Sequence, residues 1–144
     1  MELAHFRRLN DSEAWFYVKA AFLILGILSA AVAYKTGELA AQELGIMQDH
    51  IIQAHARWAK GTGLVFGVLA VAYAIRLLGY MGFEWFIPDF IRKGVFWFVR
   101  SFPTPILALC GLAAITVTGA LGGSIVYGPD FDPMISLVYR LLGL

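Results

Sequence analysis

Residues 49–78, DHIIQAHARWAKGTGLVFGVLAVAYAIRLL, decide how the rest of the chain is read. The stretch opens polar, with Asp49, His50, Gln53, His55, Arg57 and Lys60. It is apolar from Leu64 to Ile75 and closes on Arg76. Ala56, Ala59, Gly63, Gly67, Ala70 and Ala74 recur at steps of three or four. On a helix these positions share one face. In a helix of membrane length such a stripe lets a second backbone come close. The same helix carries two of the chain's three histidines at its polar end.

Composition agrees with a membrane setting. Of 144 residues, 60% are hydrophobic and 15% charged, against about 25% charged in a soluble domain. The expected class is an all-α integral membrane protein forming one domain over residues 1–144. A net charge of +1 offers no argument for a nucleic-acid partner; the lipid bilayer is the first partner implied. The single cysteine, Cys110, sits in an apolar run, cannot form an internal disulfide and is expected to be a small packing residue. Residues 1–13 are polar and lack a signal-peptide core, and the apolar run behind them is too long for one, so it reads as an anchor.

Working outward, Asn10 and Glu13 have capping-box spacing. A first span is expected at about 14–36, with Trp15, Phe16 and Tyr17 at one end and Tyr34 at the other, where aromatic belts belong. Gly26, Ala30, Ala33 and Gly37 form a second small-residue stripe, expected to pack on the first. Residues 36–48 read as a polar link with a short interfacial helix. The central span is expected at about 52–79. Residues 83–102 mix Trp85, Phe86, Phe90, Phe96, Trp97 and Phe98 with Glu84, Asp89, Arg92, Lys93 and Arg100, interrupted by Pro88. That mixture suits a helix in the headgroup plane or, alternatively, a partner-binding surface. A third span, at about 104–127, opens on Pro103 and Pro105 and carries the G-x-x-x-G pair Gly119 and Gly123. Residues 133–144 read as a short amphipathic tail. The expected packing positions are therefore Gly26, Ala30, Gly63, Gly67, Ala70, Gly119 and Gly123.

Three crossings place Arg7, Arg8, Lys19, Arg76, Arg92, Lys93 and Arg100 on one side, and Lys35, Arg57, Lys60 and Arg140 on the other. The positive-inside rule then puts the N-terminus in the cytoplasm and the C-terminus outside, in the cell (inner) membrane. Glu38, Asp49, His50, His55, Asp130 and Asp132 gather at the outer end.

His55 and His50 are the candidate cofactor-binding residues. Five helical residues turn the chain by about 500°, so the two rings diverge by roughly 140° and cannot hold one metal or haem together. Either could supply one axial ligand of haem b, with the second from elsewhere. The plainer reading makes both of them interfacial polar residues. The outer carboxylates have no spacing diagnostic of a cation site. No strongly charged residue lies mid-span, against a proton pump. The chain has no Cys-x-x-Cys, phosphate loop or nucleophile elbow, and no catalytic residue is assigned.

The run Thr118-Gly119-Ala120-Leu121-Gly122-Gly123-Ser124-Ile125-Val126-Tyr127 resembles the closing motif, Thr-Gly-His-Leu-Gly-Gly-x-x-Val-Tyr, of a family of predicted bacterial membrane proteins of unknown function. Residues 31–37, AVAYKTG, are similar to that family's Ala-rich helix, and His55 to a histidine opening its next helix. The resemblance covers about residues 14–128 and implies a four-helix membrane domain. Ala120 stands where the motif has histidine. The family's opening helix, with its His-Pro and Val-His-Phe-Pro pattern, has no counterpart here. Either that element is lost, and a neighbouring chain covers the exposed stripe, or it lies upstream. The expected function is a non-catalytic accessory subunit of a larger membrane complex or homo-oligomer. The alternatives are a b-type haem electron-transfer subunit and a small oligomeric transporter.

Overall fold

A computed structural model describes residues 13–144, and they form helices, with no strand among them. Helices α1 (Glu13–Glu43), α2 (His50–Tyr80) and α4 (Pro103–Tyr127) are long and apolar enough to cross a bilayer, as a multi-pass membrane protein requires. A 3-10 turn (Glu84–Phe86) and the amphipathic α3 (Asp89–Arg100) lie between α2 and α4, and α5 (Pro133–Leu141) follows. Asn10, His5, Arg7 and Arg8, which carry the expected cap and part of the expected charge asymmetry, lie outside the described residues.

The boundaries have local causes. The Asp49 carboxylate accepts a bond from the Ile51 N–H at 2.8 Å and caps α2. Pro88, extended at φ −54° and ψ 140°, separates the 3-10 turn from α3. Pro103 occupies the first turn of α4, where its missing N–H leaves no bond unmade. Asp132 caps α5 by accepting from Met134 N–H at 2.8 Å. Gly128, at φ +90°, releases the chain from α4 in a conformation side chains resist.

α1 departs from expectation. It does not stop near residue 36 but continues to Glu43, so the expected polar link is helix. The polar groups are satisfied on the helix itself. Thr36 Oγ1 lies 3.1 Å from both the Val32 and Ala33 carbonyls, and Lys35 Nζ lies 3.0 Å from Glu38. One glycine, Gly37, costs a helix only about 1 kcal/mol relative to alanine, which is too little to end it.

α2 is the centre of the array. α1 and α4 both pack on α2 and not on each other; α3 packs on α2 and α4, and α5 on α4. Against α4, Phe66 meets Gly111, Thr62 meets Thr118 and His55 meets Gly122, in antiparallel order. At that register α4 begins beside Ala74. Residues 75–80 of α2 then overhang it by about 9 Å at 1.5 Å per residue. The 3-10 turn and α3 cover this overhang.

Residues 83–102, read in the sequence as interrupted by Pro88, form a 3-10 turn and a helix on either side of that residue. Ile91, Val95 and Phe98 of α3 are half-buried, and Phe98 lines a groove with Val68 and Val71. α3 therefore leans along α2.

The small-residue seam also needs correction. A Cβ added at Gly26, Gly63, Gly67 or Gly119 would meet nothing within 4 Å, and Ala30 is exposed. Ala70 is buried as expected, and Gly123 is in close contact, but with α5: a Cβ there would lie 2.9 Å from Ile135 Cδ1. Aromatic rings explain the difference on the α1 side. Phe16 stacks on Tyr73 at 5.4 Å and tilts against Tyr80 at 5.0 Å, with Ala20, Leu23 and Leu77 around them. Cys110, expected to pack, is exposed.

Candidate functional site

α2 joins its neighbours through polar contacts at one end and through a caged cation at the other. Towards its start, the His55 ring lies against Gly122 of α4, where a Cβ would come within 3.2 Å of Cε1. A side chain at 122 would push the ring away. In the notch so formed, His55 Nδ1 lies 3.0 Å from the Thr118 carbonyl oxygen. A carbonyl only accepts, so Nδ1 carries the proton, and the tautomer this selects has its lone pair on Nε2. One step along, Thr62 Oγ1 and Thr118 Oγ1 are 3.1 Å apart. Thr118 gives its single hydroxyl proton to the Ala114 carbonyl at 2.8 Å, so Thr62 is the donor in the pair.

The motif 118–127 is thereby accounted for by packing. Thr118 supplies both acceptors, Leu121 is 1% exposed, and Ala120 and Ser124 are buried. Ser124 Oγ donates to the Leu121 carbonyl at 2.7 Å. Gly122 and Gly123, adjacent in sequence, serve two different neighbours, His55 and Ile135. Tyr127 stacks on Phe131 at 4.7 Å in the turn to α5.

The two candidate haem ligands are kept apart. His50 is the first residue of α2 and exposed, while His55 is half-buried against α4. No group of three or more His, Cys, Asp or Glu side chains is arranged to hold a metal ion among the described residues.

The other end holds a site that sequence reasoning did not single out. The Arg76 guanidinium lies 4.8 Å from the centre of the Phe16 ring, 5.6 Å from Tyr80 and 5.4 Å from Phe96. Its Nη2 donates to the Tyr80 hydroxyl at 3.2 Å. Three elements thus close on one cation. Arg92 ties the 3-10 turn to α3, with Nη1 2.6 Å from Glu84 and Nη2 2.7 Å from Asp89. A cavity of about 240 Å³ opens here, lined by Arg76, Gly79, Tyr80, Glu84, Arg92 and Phe96 together with Ile75, Ile87 and Val95. The one signal in the sequence was the i,i+4 spacing of Arg76 and Tyr80 at the end of an apolar run.

Comparison with protein-family models gives no match, and no curated protein and no solved structure proves similar to this chain.

Proposed function

We propose that the chain is a non-catalytic subunit that seats against a further membrane helix, contributed by another subunit or a second copy. One observation carries this. Ala56, Ala59, Gly63, Gly67 and Ala74 are half-buried, yet a Cβ at Gly63 or Gly67 would meet nothing within 4 Å. α1 and α4 both pack on α2 without meeting, and Gly63 and Gly67 remain open. In lipid, apolar burial does not drive helices together, so close backbone approach is what a partner would gain there. The proposed setting is the cell (inner) membrane with the N-terminus cytoplasmic. Lys19, Arg76, Arg92, Lys93 and Arg100 favour that orientation, since they belong to the ends of α1 and α2 that meet at the Phe16–Tyr80 contact and to α3 beside them.

The test is the size of the particle extracted gently from native membranes. A wild-type chain in a larger assembly, released by Gly67→Leu but not by Val68→Leu, supports the proposal. A wild-type chain that runs as a monomer, or a Gly67→Leu chain that stays assembled, rejects it.

A second function rests on His55. Fixing Nδ1–H on a backbone carbonyl is how metal-ligating histidines are oriented. His55 Nε2 would then be one axial ligand of haem b, whose iron would supply the electron-transfer chemistry, and a partner chain would bring the other ligand. A reduced-minus-oxidised spectrum of intact membranes decides it: b-type bands lost in His55→Ala support the haem, and a featureless wild-type spectrum removes it.

A further inference from the structure

We infer that the cavity at the overhanging end of α2 is a binding site for an anionic phospholipid, with Arg76 facing the phosphate and an acyl chain lying along α2. Two cavities carry the inference. The first, described above, contains Arg76 and Tyr80. The second, about 260 Å³, is walled by Val68, Val71, Ala72, Gly94 and Phe98, and it shares Ile75 and Val95 with the first. The two are therefore contiguous. One holds charged and hydroxyl groups, and the other has only apolar walls.

Their order along α2 matches the order of a lipid. The charged cavity sits on residues 75–80, which overhang α4. The apolar groove runs beside Val68 and Val71, where α2 is flanked by the spanning part of α4. A headgroup placed at Arg76 would leave its chain pointing towards the middle of the bilayer. The charged cavity is smaller than the roughly 300–1,000 Å³ of pockets that enclose whole ligands. That suits a headgroup with its tail lodged outside.

Charge selects the occupant. Glu84 and Asp89 are both paired with Arg92. No carboxylate pairs with Arg76 among the described residues. Arg76 faces aromatic rings, which attract its charge without neutralising it. Basic pockets between membrane helices take lipid phosphates. The 3-10 turn and α3, which help line the cavity, also carry the exposed rings of Trp85, Phe86, Phe90 and Trp97, and aromatic side chains settle at headgroup level.

Lipid retention by the purified full-length chain tests the site. The protein in mild detergent is exchanged against an equimolar mixture of phosphatidylglycerol and phosphatidylcholine, and bound lipid is measured by native mass spectrometry. Wild type should favour the anionic lipid by about fivefold, the effect of one basic residue at a charged surface. Arg76→Gln should abolish the preference. Lys93→Gln, on the same face of the membrane but outside the cavity, should keep it. Gly94→Leu is the variant that does not depend on the cation. A Cβ at Gly94 meets no protein atom within 4 Å, so the side chain enters the groove and should lower retention without changing the unfolding temperature. Equal retention of the two lipids overturns the inference, as does equal loss in Lys93→Gln and Arg76→Gln, or full retention in Gly94→Leu. Displacement of the lipid by excess inorganic phosphate, with Gly94→Leu silent, would make the cavity a free-phosphate site and overturn it too.

Discussion

The two ends of α2 hold their neighbours by opposite means. From His55 to Phe66, along its first half, α2 approaches α4 closely: Gly111 and Gly122 have no side chain, and Phe66 and His55 fill the space that leaves. The bonds there run from side chain to backbone or between hydroxyls. Near Tyr80, α2 meets α1 and α3 through stacked rings around a guanidinium, with Ala20 the one small residue in the buried cluster. Helices in lipid gain little from apolar burial, because lipid tails are as apolar as leucine. Close packing with buried hydrogen bonds is one way to hold them together. Ring and cation contacts, which tolerate wider spacing, are the other. The first tolerates no added volume. The second tolerates volume and depends on charge.

The largest effect should come from adding volume at the tight end. A Cβ on Gly111 would lie 2.8 Å from Phe66 Cζ. Gly111→Leu should destabilise the chain by about 3 kcal/mol, the upper range for overpacking, read as a lower unfolding temperature in detergent. Gly119→Leu, eight residues on and open, should change stability little. Equal losses would mean that α2 and α4 do not meet at this register.

Removing charge from the wide end should cost less. Arg76→Gln withdraws the cation from three rings and should cost about 1–2 kcal/mol. Arg76→Lys keeps the charge but loses the flat stacking surface, so it should fall between wild type and Gln. If Lys and Gln behaved alike, shape and not charge would hold α1 and α3 to α2.

His55→Ala should cost about 1 kcal/mol, the net worth of one hydrogen bond, and unfolding in detergent measures it. Gly122→Ala should cause a loss of similar size by displacing the ring, and combining the two should add little, because the second change removes nothing that remains.

The three spans and the interruption at Pro88 were legible in the sequence, because each follows from residues close together along the chain; the caps at Asp49 and Asp132 were not singled out. Which small residue touches which neighbour was not. Gly63 and Gly67 have the same periodicity as Ala70, yet only Ala70 is buried. Periodicity names a face and says nothing about what covers it. The G-x-x-x-G pair misled for the same reason, since Gly119 is open while the adjacent pair Gly122 and Gly123 is used. His55 stood out as a residue, but its acceptor is a main-chain carbonyl 63 positions away, and every residue has a carbonyl. Arg76 was hidden because two of its three rings, Phe16 and Phe96, come from other helices. The end of α1 was misplaced because Lys35, Thr36 and Glu38 mark a polar boundary in the sequence, while their bonds back onto the helix let it run on into the short helix expected after them.

The smallest expected effect separates a true contact from mere neighbours at the tight end. Thr62 donates to Thr118, whose own proton is committed to the Ala114 carbonyl. Thr62→Val keeps the volume and removes the donor. Thr118 then still has its bond within α4, so no polar group is stranded. The loss should be about 0.6 kcal/mol, the average for a hydrogen bond between helices in a membrane protein. Thr118→Val frees the Thr62 hydroxyl to bond a carbonyl of its own helix, as threonine can, so it should cost a similar amount. The double variant should cost no more than either alone if the two hydroxyls act as one bond. Losses that simply add would mean that each threonine serves only its own helix, leaving His55 as the sole polar link across the α2–α4 seam.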